Sequence, residues 1–416
     1  MKPLWAAMVG VMLLSPMVGA REWRDLKGRV IAGEMRGFLK GCALVELQDG
    51  RQMMLKEEQL SADDRNWLEE WRSGREAADA LAPLTWRSQV GHPPVKVSQA
   101  EPTGRGTLFR SASYEFESDS AVSVGIMNDF ATVAESTLTL VDSLPLSFPE
   151  RGDEKLLARI FGSRAAFEKN GGRPNAAGMF LGGRPGMTGY LIVPMSSLGA
   201  QAFAGRYTKG YGYDAQVLVH EIAHQGMGEV LALIPQWLSE GLAEYVAWTP
   251  YHDGAFHQTM KDVGSGLRQR LQKMREIGLE SDPFDGRKKA AEPVVKVSLR
   301  DLMKAGETGW SGDLRQMHRY YFTAQMLTTY LLRMDGDGNA THLRLAMEEV
   351  CDARLYLLTR SERGRWPVDL SKTHEFDFNA VPKRVNELVL NGRTWEQIET
   401  EMLTAFAKEW GLIFGR

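Results

Sequence analysis

Cysteine is scarce in this chain: 416 residues include only two, Cys42 and Cys351. A disulfide-stapled scaffold is thereby excluded, and two thiols cannot build a cysteine zinc site on their own. One disulfide stays arithmetically open, and two unpaired buried thiols are the other outcome. Neither sign of charge is in excess. Fifty basic and 53 acidic residues leave a formal net charge of −3. With no arginine-rich stripe and no RNA-binding motif, nothing here prepares the chain for nucleic acid. Beyond the N-terminus no apolar run is long enough to span a bilayer. Internal repeats and low-complexity tracts are lacking too.

What is present is an ordinary globular composition, 43% hydrophobic and 25% charged. This length allows two or three domains and a core that folds without disulfides. The first residues, 1–20, read as a secretory leader. Lys2 supplies the positive start, Trp5 to Leu14 the apolar stretch, and Val18-Gly19-Ala20 the small residues before Arg21. Cleavage is expected after Ala20, giving a secreted or periplasmic protein with no membrane span after removal of the leader. An uncleaved anchor is the alternative, but the apolar run is short and charge follows it at once.

Residues 21–74 predict a small β domain. Val30-Ile31 and Cys42 to Leu47 have strand-forming character. Asp49-Gly50 marks a hairpin turn, and Gln52 to Leu55 continues beyond it. Ser61 then caps a short helix, with Asp64 in the capping-box position and Trp67, Leu68 and Trp71 on its apolar face. Arg21-Glu22-Trp23-Arg24-Asp25, Gly28-Arg29, the Asp49-Gly50 hairpin and Gln59 to Asp64 together resemble a Src-homology-3-like domain. That domain is shared by an endocytic adaptor and many bacterial envelope proteins. The resemblance implies a small β-barrel but no function for it; binding of an envelope protein or peptide, tethering, and a plain structural appendage are all open.

Residues 75–106 read as a linker, because Gly91-His92-Pro93-Pro94 and Pro102-Thr103-Gly104 discourage regular structure. His92 is expected to be a solvated loop residue. A larger α+β domain is expected over 107–416. Tyr114 to Phe116 suggests a strand, and Ser118 to Ser120 offer caps for a long helix over Val122 to Leu140. The glycine-rich stretch 171–189 lacks a Gly-Lys-Ser/Thr ending and is no phosphate loop. Tyr190 to Val193 reads as a strand stopped by Pro194. Beyond residue 213 the pattern is largely helical.

The chemistry sits in His220-Glu221-Ile222-Ala223-His224. Tyr213 to Gly226 predicts a largely buried helix carrying Val217, Leu218, Val219, Ile222 and Ala223. Histidines at i and i+4 share a helix face, so both imidazoles can reach one zinc ion. Glu221 is turned aside but stays within reach of a water on that ion, as a general base requires. By chance the motif arises in roughly one such chain in a hundred, so a third ligand must be sought elsewhere. The alternative is a buried helix with two hydrogen-bonded histidines.

Pro235 can take the first position of a following helix. Gln236 to Tyr245 follows, and its Trp237-Leu238-Ser239-Glu240-Gly241-Leu242-Ala243 resembles the Trp-Leu-x-Glu-Gly-x-Ala segment of the gluzincin metallopeptidases. The resemblance implies that Glu240 completes the metal site and that Glu244, one turn later, supports His220. Helix offset alone allows either glutamate to be the ligand. It also implies an oxyanion-stabilising tyrosine at the start of a downstream helix. Tyr321 matches that position best, with Tyr320 and His318 as alternatives; both tyrosines as core aromatics is the other reading. His252 and His257 follow the second helix and could line the cleft.

Other zinc patterns are excluded, since Met227 and Val230 stand where a metzincin needs glycine and histidine, and the inverted His-x-x-Glu-His order is absent. Asp335-Gly336-Asp337-Gly338-Asn339 is not a calcium loop, because Ala340 and Ala346 occupy its glycine and glutamate positions. It reads as a polar turn ending the Tyr321 to Met334 helix. The resemblance extends over 107–416 to bacterial envelope proteins with a gluzincin-like site. Val297 to Leu302, the tyrosine helix and the terminal Trp395 to Trp410 helix keep the same order. The aminopeptidase exopeptidase motif is not recognisable, Gly178-Met179-Phe180 being the nearest stretch. The expected function is zinc-dependent hydrolysis of a peptide or protein substrate; the rival is a non-catalytic envelope binding or tethering protein with a structural or vestigial zinc site. A zinc hydrolase acting on a non-peptide amide is a third reading.

Overall fold

The computed structural model describes residues 20–81, 84–149, 151, 154–174, 176–182, 189–198, 200–203, 206–209, 215–279, 295–305, 310, 314–359 and 376–414. The expected leader lies outside these, apart from Ala20. The chain is α+β, with a small antiparallel sheet at its N-terminal end. Four strands make that sheet: β1 (Arg21–Arg24), β2 (Val30–Leu39), β3 (Cys42–Leu47) and β4 (Gln52–Lys56), paired in that order. Gly50 turns the β3–β4 hairpin in the left-handed region at φ 79°, as Asp49-Gly50 predicts. The β2–β3 turn uses Lys40 and Gly41, at φ 52° and 70°, a turn not foreseen from the sequence.

Trp23, Met35, Ala43, Val45, Leu60 and Leu68 fill the small core, with Trp67 edge-on against Trp23. The helix α1 (Ala62–Leu81) is capped by Ser61, whose hydroxyl accepts the Asp64 N–H. Asp64 is buried and satisfied by the Arg24 N–H, the Ser61 hydroxyl and the Arg21 guanidinium. The helix is longer than the short one expected and runs well into the stretch read as a linker.

The rest of that stretch belongs to the larger unit. β5 (Gln89–Gly91) joins a hairpin at residues 251–257, and β6 (Ser98–Thr103) and β7 (Gly106–Arg110) form one end of a six-stranded sheet. β8 (Tyr114–Ser118), the helix α2 (Val124–Ser143), β9 (Leu156–Phe161), the short α3 (Arg164–Lys169), β10 (Met179–Leu181) and β11 (Tyr190–Pro194) follow. The sheet order is β10-β11-β9-β8-β7-β6, with β8, β9 and β11 mutually parallel and β10 antiparallel at the edge. Ser123, not Ser118 or Ser120, caps α2; the Ser118 hydroxyl instead donates to the Ser120 carbonyl.

Between β5 and β6 the chain lies extended along α2. The N–H groups of Val97, Val95 and His92 donate to Asn128 Oδ1, Thr132 Oγ1 and Ser136 Oγ, at 2.8, 2.9 and 3.1 Å. These acceptors are one helical turn apart, so a polar stripe on α2 replaces a β ladder. The prolines that argue against regular structure are compatible with this, because Pro93 and Pro94 have no N–H to satisfy.

A hairpin of β12 (Ala200–Phe203) and β13 (Arg206–Lys209) leads into the helical half. There α4 (Ala215–Met227) and α5 (Gln236–Trp248) pack together, followed by β14 (Tyr251–His252), β15 (Ala255–His257) and α6 (Met260–Leu279). α7 (Leu299–Lys304), α8 (Leu314–Arg333), α9 (Thr341–Thr359), α10 (Ala380–Leu390) and α11 (Trp395–Trp410) complete it. Leu218, Val219, Ile222 and Ala223 of α4 are buried, whereas Val217, expected with them, is 38% exposed. Pro235 is the capping residue of α5, one place before the position expected.

α5 is buried continuously from Gly241 to Trp248, against α4 on one side and α8 on the other. Gly241 permits this approach, since a Cβ there would lie 2.6 Å from the Ala324 carbonyl oxygen of α8. Asp335 accepts from both Arg393 and Tyr330 in the polar turn after α8.

The N-terminal unit is docked on α9. Buried Asp352 accepts the Phe38 N–H at 3.1 Å, beside the β-bulge at Met35 and Gly37. Cys42 and Cys351 are not joined in a disulfide; the first is buried and the second half-buried. Among the described residues no helix is long and apolar enough to cross a membrane.

Candidate metal centre

α4 lies between the β10–β11 end of the large sheet and α5. It carries His220 and His224, both buried, toward α5. Their Nε2 atoms are 3.0 Å apart, and Glu240 Oε2 from α5 is 3.2 Å from each. A tetrahedral ion held at about 2.0–2.1 Å separates its ligand atoms by roughly 3.3 Å. The triangle is therefore of the size that such an ion needs. Two imidazoles and a carboxylate are also a donor set suited to Zn²⁺. Among the described residues this is the one cluster of three such side chains whose ligand atoms converge.

The electrostatics agree with a cation position. Burial alone would neutralise His220, but the Glu240 and Glu244 carboxylates outweigh it and lift the pKa to about 10. Burial likewise opposes the charge on Glu240, yet the His224 and His220 rings hold its carboxyl far below the usual range. Without an ion, a proton must stand among these three groups to hold them together.

Glu244 takes a different place from Glu240. Its Oε1 is 3.2 Å from His220 Nδ1, a close contact that falls short of hydrogen-bond alignment. Its Oε2 accepts the Trp248 indole N–H at 3.0 Å and lies 3.1 Å from Arg270 Nη2. Burial would raise the Glu244 pKa; Arg270, then His220, bring it down to about 2. Its carboxylate thus sits behind His220, away from the Nε2 triangle. On the other ring, Ser239 Oγ lies 3.4 Å from His224 Nδ1.

Glu221 is half-buried beside the triangle. Its Oε2 accepts the Phe180 N–H from β10 at 2.7 Å. Burial raises its pKa, against the lowering pull of His220, His224 and the Phe180 N–H. β11 has partners on both sides, so the strand before Pro194 offers no free edge. Among the described residues the edge strand beside the site is β10, with Gly178 against Glu221.

Tyr321 presents its ring edge-on to His220, with centroids 5.8 Å apart. Burial, then Glu240, Glu221 and Glu244, push its hydroxyl well above the ordinary range, so it stays protonated. Tyr320 is instead buried against Trp310. His318 is held toward its neutral form by burial and then by Arg270, with its Nδ1 buried and lacking a hydrogen-bond partner. His252 and His257 stack on each other in the β14–β15 hairpin and do not join the cluster.

Sequence reasoning missed Ser239, Trp248, Arg270 and the Phe180 N–H. Trp248 had a usable signal, being one turn beyond Glu244 as Glu244 is beyond Glu240. Ser239 immediately precedes a proposed ligand. Arg270 and Phe180 had none, because distant segments bring them in. No protein-family model, curated protein or solved structure matches the chain.

Proposed function

We propose that the chain is a zinc-dependent hydrolase, most simply a peptidase, with a gluzincin-like catalytic unit and a Src-homology-3-like N-terminal domain, acting in the periplasm or outside the cell. The observation that carries this reading is the convergence of His220 Nε2, His224 Nε2 and Glu240 Oε2 with Glu221 alongside. A purely structural site has no need of that carboxylate.

His220, His224 and Glu240 would hold the ion. Bound there, zinc supplies Lewis acidity toward water and toward the scissile carbonyl. Glu221 takes the proton from the attacking water and passes it to the leaving amine. Its raised pKa suits both halves of that task. Tyr321 keeps its proton and donates to the developing oxyanion. The edge of β10 supports pairing with an extended substrate backbone, although Glu221 already uses the Phe180 N–H.

Metal analysis and a peptide-library digest test the reading together. Purified protein should contain about one zinc per chain. Wild type should cleave, and Glu221→Gln should not. Equal cleavage by both would sink the mechanism. Zinc uptake without cleavage of any peptide would favour a binding protein.

A further inference from the structure

We propose that Arg270 decides which of the two α5 glutamates becomes the metal ligand, by committing Glu244 to the rear of His220. The inference rests on the zinc reading of the centre.

Glu240 and Glu244 are one turn apart on one helix, so their own element does not distinguish them. The asymmetry comes from a third helix. Arg270 projects from α6 with its side chain only 5% exposed, and its Nη2 is 3.1 Å from Glu244 Oε2. Trp248 donates to the same oxygen and lies under the guanidinium, 5.0 Å from ring centroid to Cζ. The other oxygen, Oε1, faces His220 Nδ1. Both oxygens of Glu244 are thus taken on the side away from the triangle.

A buried carboxylate needs a cation or a proton. Among the described residues no guanidinium pairs with Glu240, which turns to the two Nε2 atoms, where an ion would neutralise it. Glu244 has Arg270 and does not need the ion. With Arg270 gone, Glu244 would compete for the same cation, one turn from the proper ligand. His220 would then lose the fixed partner that orients its ring. Arg270 is a positioning residue in this scheme.

Arg270→Met keeps the length and the apolar contact with Trp248 but removes the charge. Its zinc affinity, read by competition with a chromophoric chelator, should fall about 10- to 100-fold. The visible bands of the Co²⁺-loaded protein should shift, because carboxylate coordination changes. Arg270→Lys should recover most of the affinity and the wild-type spectrum. In a Glu244→Gln background, Arg270→Met should cost nothing further, since the group it acts on is already neutral.

A folded Arg270→Met protein with wild-type zinc affinity and Co²⁺ spectrum overturns the proposal. Should that variant fail to fold, Arg270→Gln has the same expectation and the same overturning result. Wild-type protein that takes up neither Zn²⁺ nor Co²⁺ overturns the zinc reading itself. Wild type and Arg270→Met binding equally well overturns only the role of Arg270.

Discussion

Glu221 Oε2 accepts the main-chain N–H of Phe180 at 2.7 Å. A donor of this kind stabilises the charged carboxylate and lowers its pKa, against the burial that raises it. This N–H is given to Glu221 while Phe180 stays in register with Leu191 of β11. Phe180→Pro would remove this donor and leave the strand pairing. Glu221 would then ionise at higher pH, and the acid limb of the kcat/KM profile should move upward in pH. An unmoved limb in the folded variant would show that Phe180 does not tune the base.

Tyr321 and Tyr320 are neighbours in sequence and both meet Trp310, but only Tyr321 has a ring contact with His220. Tyr321→Phe should lower kcat by about 10²- to 10³-fold with zinc content unchanged. Tyr320→Phe should leave kcat near wild type. Steady-state kinetics on any peptide found in the digest decides between them.

If the cluster holds zinc as proposed, the proton on His220 competes with the metal. Its folded pKa is raised from 6.5 to about 10, so its contribution to metal-free stability is full below pH 6.5 and lost as pH rises through about 10. The ion needs the same ring unprotonated. Zinc uptake at neutral pH should therefore release protons, and affinity should climb with pH toward 10. Calorimetry in buffers of different ionisation enthalpy measures that release. Zero release would mean that His220 is already neutral.

Gly241 sets the α5–α8 separation. Gly241→Ala places a methyl group against the Ala324 carbonyl and should destabilise the protein by about 1–3 kcal/mol in urea unfolding. Zinc affinity should fall with it, because Glu240 is the preceding residue.

Asp352 joins the N-terminal unit to α9 through the Phe38 N–H. Asp352→Ala leaves that donor without its acceptor and should cost about 1–3 kcal/mol. Unfolding followed separately by tryptophans of the two units should lose coincidence. An unchanged, coincident transition would mean that the interface holds without Asp352.

How much of the site could be read from the sequence depended on how local each part is. His220, Glu221 and His224 fall within one helical turn, where spacing alone fixes the geometry. Glu240 and Glu244 were visible as a pair, but resemblance was needed to order them, since the distinction lies with Arg270 on another helix. Met179 and Phe180 stood out only as the nearest counterpart of an exopeptidase motif and not as strand β10, because three residues in a glycine-rich run show no alternation. The same limit governed the fold. The Asp49-Gly50 turn, the Ser61 cap and the Trp395–Trp410 helix are written in adjacent residues. The stretch between the two units was read as a linker because its partners, Asn128, Thr132 and Ser136, lie on a helix still to come.

That extended stretch also bears on where the chain can be divided. A cut at residue 107 would discard β5 and β6, strip the polar stripe of α2 of its three donors, and open the β15 edge and one side of β7. The smallest fragment able to keep intact the half that carries His220, His224 and Glu240 must begin before Gln89. Anyone wishing to express that half alone should place the start codon there, and should expect α9 to be left with a bare flank where the N-terminal unit had rested.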